Sequence, residues 1–233
     1  SISRHTLGST RIASVVVQDG GKFGDIVANN AFKRDEQGNI LIDENGLPIK
    51  ETDKVIGNMM PDWTGSVGTS LRWKDLSFSA LVDIRYGGNF ISMTDNYATL
   101  SGNSVRSLAG RDGMVVKGIV ESTGQPNTKE VTAEEYWTSV AGSNGVAEAF
   151  MYDATYIKLR ELSLGWNLPK VWLKYTPLKS VKISVVARDL FYLYKDAPVS
   201  AEAALSRADY AQAFEYASMP PTRSFGFSLN VKF

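Results

Sequence analysis

Along much of the chain apolar and polar residues alternate with a period of two, the mark of strands whose two faces meet different surroundings. From Trp63 to Trp73 the odd positions carry Trp63, Gly65, Val67, Thr69, Leu71 and Trp73, against Thr64, Ser66, Gly68, Ser70 and Arg72. From Leu76 to Tyr86 the even positions carry Leu76, Phe78, Ala80, Val82, Ile84 and Tyr86. The last residues repeat the pattern, with Phe225, Phe227, Leu229, Val231 and Phe233 opposed to Ser224, Gly226, Ser228, Asn230 and Lys232. Within 156–168 the apolar parity switches from Ile157 and Leu159 to Leu162, Leu164, Trp166 and Leu168, which predicts a bulge near Arg160-Glu161. Val181, Ile183 and Val185 open a further strand over 181–191, and 11–17 and 23–33 read as two more. The set is therefore 11–17, 23–33, 63–73, 76–86, 156–168, 181–191 and 222–233, seven strands of an all-β chain.

Connection lengths alternate between short and long. Only Lys74-Asp75 joins the strands at 63–73 and 76–86, and Pro169–Lys179 is a compact link. By contrast, 87–151 and 192–221 are long. Loops beyond about 15 residues are uncommon in compact domains, whereas membrane barrels combine short turns at one end with long loops at the other. If Lys74-Asp75 is a two-residue turn, Trp73 pairs with Leu76 and Trp63 with Tyr86, all on one apolar face. Ten residue steps rise about 33 Å, or roughly 23 Å at a tilt of about 45°, close to the ~25 Å apolar band of a transmembrane barrel. Trp63 and Tyr86 would then mark one membrane interface and Trp73 the other. The opposite face carries Arg72, Asp83, Arg85, Lys158 and Arg160, which suits a wet lumen and is read first as a solvated structural face. Asp83 and Arg85 are also weak candidates for solute contact.

Composition narrows the chemistry. The chain has 233 residues, 25 Lys+Arg against 25 Asp+Glu, no cysteine and one histidine, His5. Nucleic-acid binding calls for a clear excess of Lys and Arg. Without cysteine, and with the single histidine near a terminus, thiolate metal sites, Cys nucleophiles and Ser-His-Asp chemistry fall away, so neither an enzyme nor a cofactor is expected. No apolar run reaches the roughly 18–20 residues of a membrane helix. The start Ser1-Ile2-Ser3-Arg4 is not that of a signal peptide. Asp35-Glu36-Gln37-Gly38 and Asp43-Glu44-Asn45-Gly46 bracket Asn39–Ile42 and read as turns of a hairpin-like excursion, because their acidic spacing does not fit a calcium loop. Thr132 followed by Glu135 predicts a capping box that opens a short helix. Tyr136 and Trp137 on that helix would stack on a sugar ring or, as the preferred reading, anchor the loop.

Several segments resemble the SusC/RagA family of TonB-dependent outer-membrane transporters. They are Gly21–Ile26, Arg34–Leu41, Val55–Asn58 with Pro61-Asp62-Trp63, Asp83–Gly88, Tyr152–Gly165, Leu168-Pro169 and Pro221–Phe233, in that order. The resemblance covers residues from about 20 to 233. It implies that 1–233 is the C-terminal portion of a 22-stranded barrel, with 87–151 and 192–221 as surface loops and with the family's plug, TonB-contacting segment and signal peptide absent. It further implies active import of oligosaccharides or peptides across the outer membrane of a Gram-negative, Bacteroidetes-like cell. The implied partners are a SusD-like surface lipoprotein, the remainder of the barrel and plug, the TonB complex and outer-membrane lipid. Phe233, an aromatic end to the final strand, would serve as the signal for barrel assembly. The competing reading is a soluble β-sandwich carbohydrate-binding module that uses its Trp and Tyr residues as ligand platforms.

Overall fold

A computed structural model describes residues 3–202 and 208–233. Contacts divide the chain into two compact units: 1–60, 88–153 and 202–219 form unit 1, and 61–87, 154–201 and 220–233 form unit 2.

Unit 2 is a five-stranded antiparallel sheet with a one-turn helix in one of its links. Its strands are β1 (Trp63–Trp73), β2 (Leu76–Tyr86), β3 (Tyr156–Asn167), β4 (Ser180–Lys195) and β5 (Ser224–Lys232), paired in the spatial order β5-β4-β3-β2-β1. The β1–β2 hairpin has the register expected from its alternation, from Trp63 opposite Tyr86 to Trp73 opposite Leu76. Lys74 takes the left-handed conformation (φ 52°), which lets two residues that are not typical turn formers reverse the chain. In the β2–β3 ladder Leu159 faces Val82 and Glu161 faces Leu81, so Arg160 is the extra residue that switches parity. β4 bulges at the same level, where Leu159 faces Phe191 and Glu161 faces Arg188.

Those offsets keep apolar residues in register across strands of different sequence. One row reads Leu71, Phe78, Leu164, Val185 and Phe227, and the next reads Trp73, Leu76, Trp166, Ile183 and Leu229. A thinner row, Thr69, Ala80, Leu162, Ala187 and Phe225, crosses the middle. Nothing in this unit forms a second layer over the face: Val67 is 64% exposed and Phe227 70%. The described strands form an open sheet bounded by β1 and β5.

Unit 1 is a mixed fold with a core of its own. Strands Arg4–Ser9, Ala13–Gln18, Asp25–Ala28 and Lys54–Asn58 make an antiparallel sheet. Helix α1 (Met93–Leu100) and helix α2 (Ala133–Val140) lie in the long segment between β2 and β3. Ile12, Val15, Ile26, Ile91, Val140 and Phe150 are fully buried in one cluster.

Here the structure corrects the expected strand set. The candidates at 11–17 and 23–33 fall at Ala13–Gln18 and at Asp25–Ala28 with Ala31–Phe32, all within unit 1. Six residues rise only about 20 Å before any tilt, too little to cross the ~25 Å apolar band. Asp25–Ala28 is buried along its whole length, so neither face is left for lipid. The long strands with one exposed apolar face are thus the five of unit 2. The segments expected as long surface loops carry helices and short strands that share this core. The 192–221 stretch is described except for 203–207, and Ser1 and Ile2, half of the stretch read for a signal peptide, also lie outside the described residues.

Polar side chains tie the three pieces of unit 1 together, Arg34 of the first pairing with Glu148 of the second. Ser92 caps α1 by accepting from the backbone N–H of Asp95, and its hydroxyl donates to Glu215 at 2.6 Å. Glu215, buried in the short strand Phe214–Glu215, also accepts from Thr94 at 2.7 Å and from the backbone of Ser218 at 3.1 Å. Arg106 pairs with the buried Asp95 at 2.8 Å and lies over the rings of Trp137 and Phe150, at 5.6 and 5.3 Å. The two Asp-Gly turns share one construction. Asp35 accepts from the backbone N–H of Gln37 and Asn39, and Asp43 does the same for Asn45 and Leu47. Gly38 and Gly46 supply the left-handed residue, at φ 87° and 85°.

α2 begins with the expected capping box, Thr132 accepting from the N–H of Glu135 and Glu135 accepting from the N–H of Thr132. That backbone bond, followed by the Thr132 hydroxyl, holds the Glu135 carboxyl below its ordinary value of 4.5. A lowered folded-state pKa means that the stabilisation is present above 4.5 and is lost as pH falls through the lowered value. Thr132→Ala should weaken α2 by about 1 kcal/mol. Hydrogen exchange of the α2 amides checks this. Glu135→Gln should remove the acid-side part of their pH dependence relative to the parent.

Candidate functional site

The five-stranded sheet offers two chemically opposite surfaces. On the apolar face, aromatic residues mark both ends of β1 and β2. Trp63 and Tyr86 stack with ring centroids 6.0 Å apart and an interplanar angle of 20°. At the other end Trp73 and Trp166 flank Leu76, and Trp172 of helix α3 (Lys170–Leu173) meets Trp166 edge-on at 5.6 Å. Between these ends the face carries no charged side chain in the paired rows. Arg or Lys placed at such a depth in lipid would cost about 2–4 kcal/mol.

The other face carries a ladder of opposed charges. Arg160 donates to Asp83 at 2.6 Å and to Asp189 at 2.8 Å, bridging β2, β3 and β4. Lys158 pairs with the same Asp189 at 2.9 Å although its side chain is only 1% exposed, and its ammonium lies 5.1 Å from the Tyr192 ring. Arg188 and Glu161 form a further cross-strand pair at 2.8 Å. The bulges build the ladder. They take Arg160 and Asp189 out of strict alternation, and Asp189 adopts φ 53°. One carboxylate shared by two cations makes a network rather than a set of isolated surface pairs, which individually contribute little.

The sequence-predicted residues separate between the units. Asp83 enters the ladder through Arg160, and Arg85 sits nearer the Trp63 end, opposite Thr64 and Tyr156. Tyr136 and Trp137 belong to unit 1, where they pack on its core and meet each other edge-on at 4.8 Å. Burial raises the Tyr136 hydroxyl pKa, opposed by nearby Arg106. Their rings are thus engaged within the unit. Phe233 lies just beyond β5 and is exposed. Asp189 was missed by sequence reasoning, since the apolar run Val185-Val186-Ala187 hides the alternation before it. The charged pair Arg188-Asp189 inside a long strand was the available signal.

No protein-family model matches the chain. TonB-dependent receptor P3 of Formosa agariphila is 28% identical over 225 residues, covering 93% of this chain and 21% of the receptor. The RagAB peptide transporter superimposes with a TM-score of 0.60 at 15% identity, covering 99% of this chain and 24% of that one. The RagAB peptide importer in its closed-closed state gives 0.55 at 13% identity, over 99% and 28%. The chain is thus similar in sequence to a TonB-dependent receptor and in fold to part of the RagAB transporter. The chain spans about a fifth of the length of the curated relative that it matches. These relatives are named as receptors and importers, not as enzymes.

The ladder predicts an asymmetry between its members. Asp189→Asn removes a carboxylate that serves two cations, one of them buried, and should cost about 3 kcal/mol. Lys158→Met keeps the length and the contact with Tyr192, leaves Asp189 paired with Arg160, and should stay within about 1 kcal/mol of the parent. Thermal unfolding of the full-length receptor in detergent compares the two.

Proposed function

We propose that this chain forms part of the wall of an outer-membrane importer that draws energy from TonB. The observation that carries the reading is the exposed apolar face of the five-stranded sheet. It runs unbroken over eleven-residue strands and is edged by Trp63 and Tyr86 at one end and by Trp73 and Trp166 at the other. A soluble sandwich would cover such a face with a second sheet. Lipid covers it without a second layer.

In this reading the apolar rows face the bilayer and the Asp83–Arg160–Asp189–Lys158 ladder faces the lumen. The hairpin Lys74-Asp75 and the Pro169–Lys179 link lie on the periplasmic side. The segments 88–153 and 202–219 leave the sheet at the opposite end and are assigned to the cell surface. There they would meet a SusD-like lipoprotein and the incoming solute, an oligosaccharide or a peptide. The peptide arm is favoured by likeness to the RagAB peptide importer, although that likeness is one of fold. TonB would act through the rest of the receptor.

Two adjacent substitutions separate the faces. Leu162 stands in the central apolar row and Ser163 points the other way. Leu162→Arg should cost about 2–4 kcal/mol and deplete the receptor from the outer membrane, whereas Ser163→Arg should cost much less. Surface abundance and thermal unfolding of the full-length receptor carrying each change provide the test. Equal tolerance of the two would reject the wall reading.

A further inference from the structure

The short-turn end of the sheet carries a feature that a plain turn does not require. Within 70–77, 166–184 and 228–233 there are seven basic side chains (Arg72, Lys74, Lys170, Lys174, Lys179, Lys182 and Lys232) and one acidic side chain, Asp75. In a chain of zero net charge this is a local concentration of positive charge. By register Lys182 and Lys232 lie on the polar face, alongside Ser184 and Asn230. Three of the others are tied to the apolar rim. Lys74 lies 5.1 Å from the Trp73 ring. Lys170 and Lys174 bracket Trp172, which packs on Trp166.

Helix α3 itself is exposed in an unusual way. Val171, Trp172 and Tyr175 are all largely exposed, Tyr175 to 92%, with Lys170 and Lys174 among them. Water gives no reason for that mixture, but the headgroup level of a membrane does: Trp and Tyr are enriched there, and lysine stems run along apolar surface while their ammonium groups stay wet. The apolar face holds a cleft of about 420 Å³ between Trp73 and Trp166, the rings that Lys74 and Trp172 meet, floored by Leu76, Phe78, Leu164 and Val185. Its lining is almost entirely carbon, and its size falls within the roughly 300–1,000 Å³ of small-molecule sites.

Resting on the wall reading, we propose that this rim binds an anionic phospholipid. One acyl chain would occupy the cleft between Trp73 and Trp166, and the negatively charged headgroup would lie against Lys74, Lys170 and Lys174. Charge complementarity selects the occupant: a zwitterionic headgroup gains little from three ammonium groups, whereas an anionic one gains from each. Lysines near an anionic lipid surface contribute about fivefold each, so three should give a preference on the order of a hundredfold.

The experiment uses the full-length receptor reconstituted with phosphatidylglycerol or phosphatidylcholine, followed by native mass spectrometry of retained lipid. The parent should retain phosphatidylglycerol on the order of a hundredfold over phosphatidylcholine. The Lys74→Gln, Lys170→Gln, Lys174→Gln triple variant should lose that preference, and the corresponding triple Arg variant should keep it. Leu164→Trp, which fills the cleft from an exposed position, should reduce retention of lipid while leaving insertion intact. Equal retention of the two lipids by the parent, or an unchanged preference in the triple Gln variant, would overturn the headgroup site. Unchanged retention in Leu164→Trp would overturn the cleft as the acyl site. Vesicle flotation separates this from the wall reading: a receptor that inserts but shows no lipid preference loses only the site, whereas one that fails to float with either lipid loses both.

Discussion

Every feature of unit 2 follows from one constraint: a sheet whose apolar face is left bare must be covered by something other than water. Burying apolar surface is worth about 25 cal/mol per Å², so a face of this extent left in water would drive association or aggregation. Hydrocarbon removes that penalty and imposes another, since every backbone N–H and C=O must then be bonded within the protein. The continuous ladders from β5 to β1 meet that demand through the interior of the sheet. The paired bulges at Arg160 and Asp189 let strands of different sequence keep their apolar rows aligned while meeting it.

The same bulges organise the polar face. A strand in strict alternation sends charges out at regular intervals, with no guarantee that opposite signs meet. One extra residue in β3 and one in β4 bring Arg160 between Asp83 and Asp189, and place the buried Lys158 on the same carboxylate. This gives the lumen side of the proposed wall its fixed charge pattern. Unit 1 solves its own problem differently, using buried Glu215 to join chain segments far apart in sequence and the Asp95–Arg106 pair to brace the segment that follows α1.

The sequence made legible what local rules control. Alternation and a two-residue link left one sensible register for Trp63–Tyr86, and the parity switch near Arg160 announced its bulge. The Thr132–Glu135 spacing announced the capping box. The misreading lay in the first sixty residues. There, Val15-Val16-Val17 and Ile26-Val27-Ala28 are unbroken apolar runs, the sign of strands buried on both faces rather than of a wall with one wet side. How those strands share a core with α1, α2 and Phe214 was hidden because the contacts link residues more than 60 apart. Asp189 was obscured for a related reason. β4 carries register shifts at two places, which scramble the period that reveals a strand's faces.

The chain has no cysteine, so single cysteines can be placed along β2 without competing thiols in these 233 residues, in a full-length receptor whose cysteines elsewhere, if any, are replaced by serine. Each would be labelled with an environment-sensitive fluorophore and exposed in turn to a lipid-borne and a water-soluble quencher. If the apolar face meets the bilayer, labels at 78, 80, 82 and 84 will be quenched from the lipid, and those at 77, 79, 81 and 83 from water. Loss of that alternation, or quenching of both sets from water alone, would contradict the membrane-wall assignment.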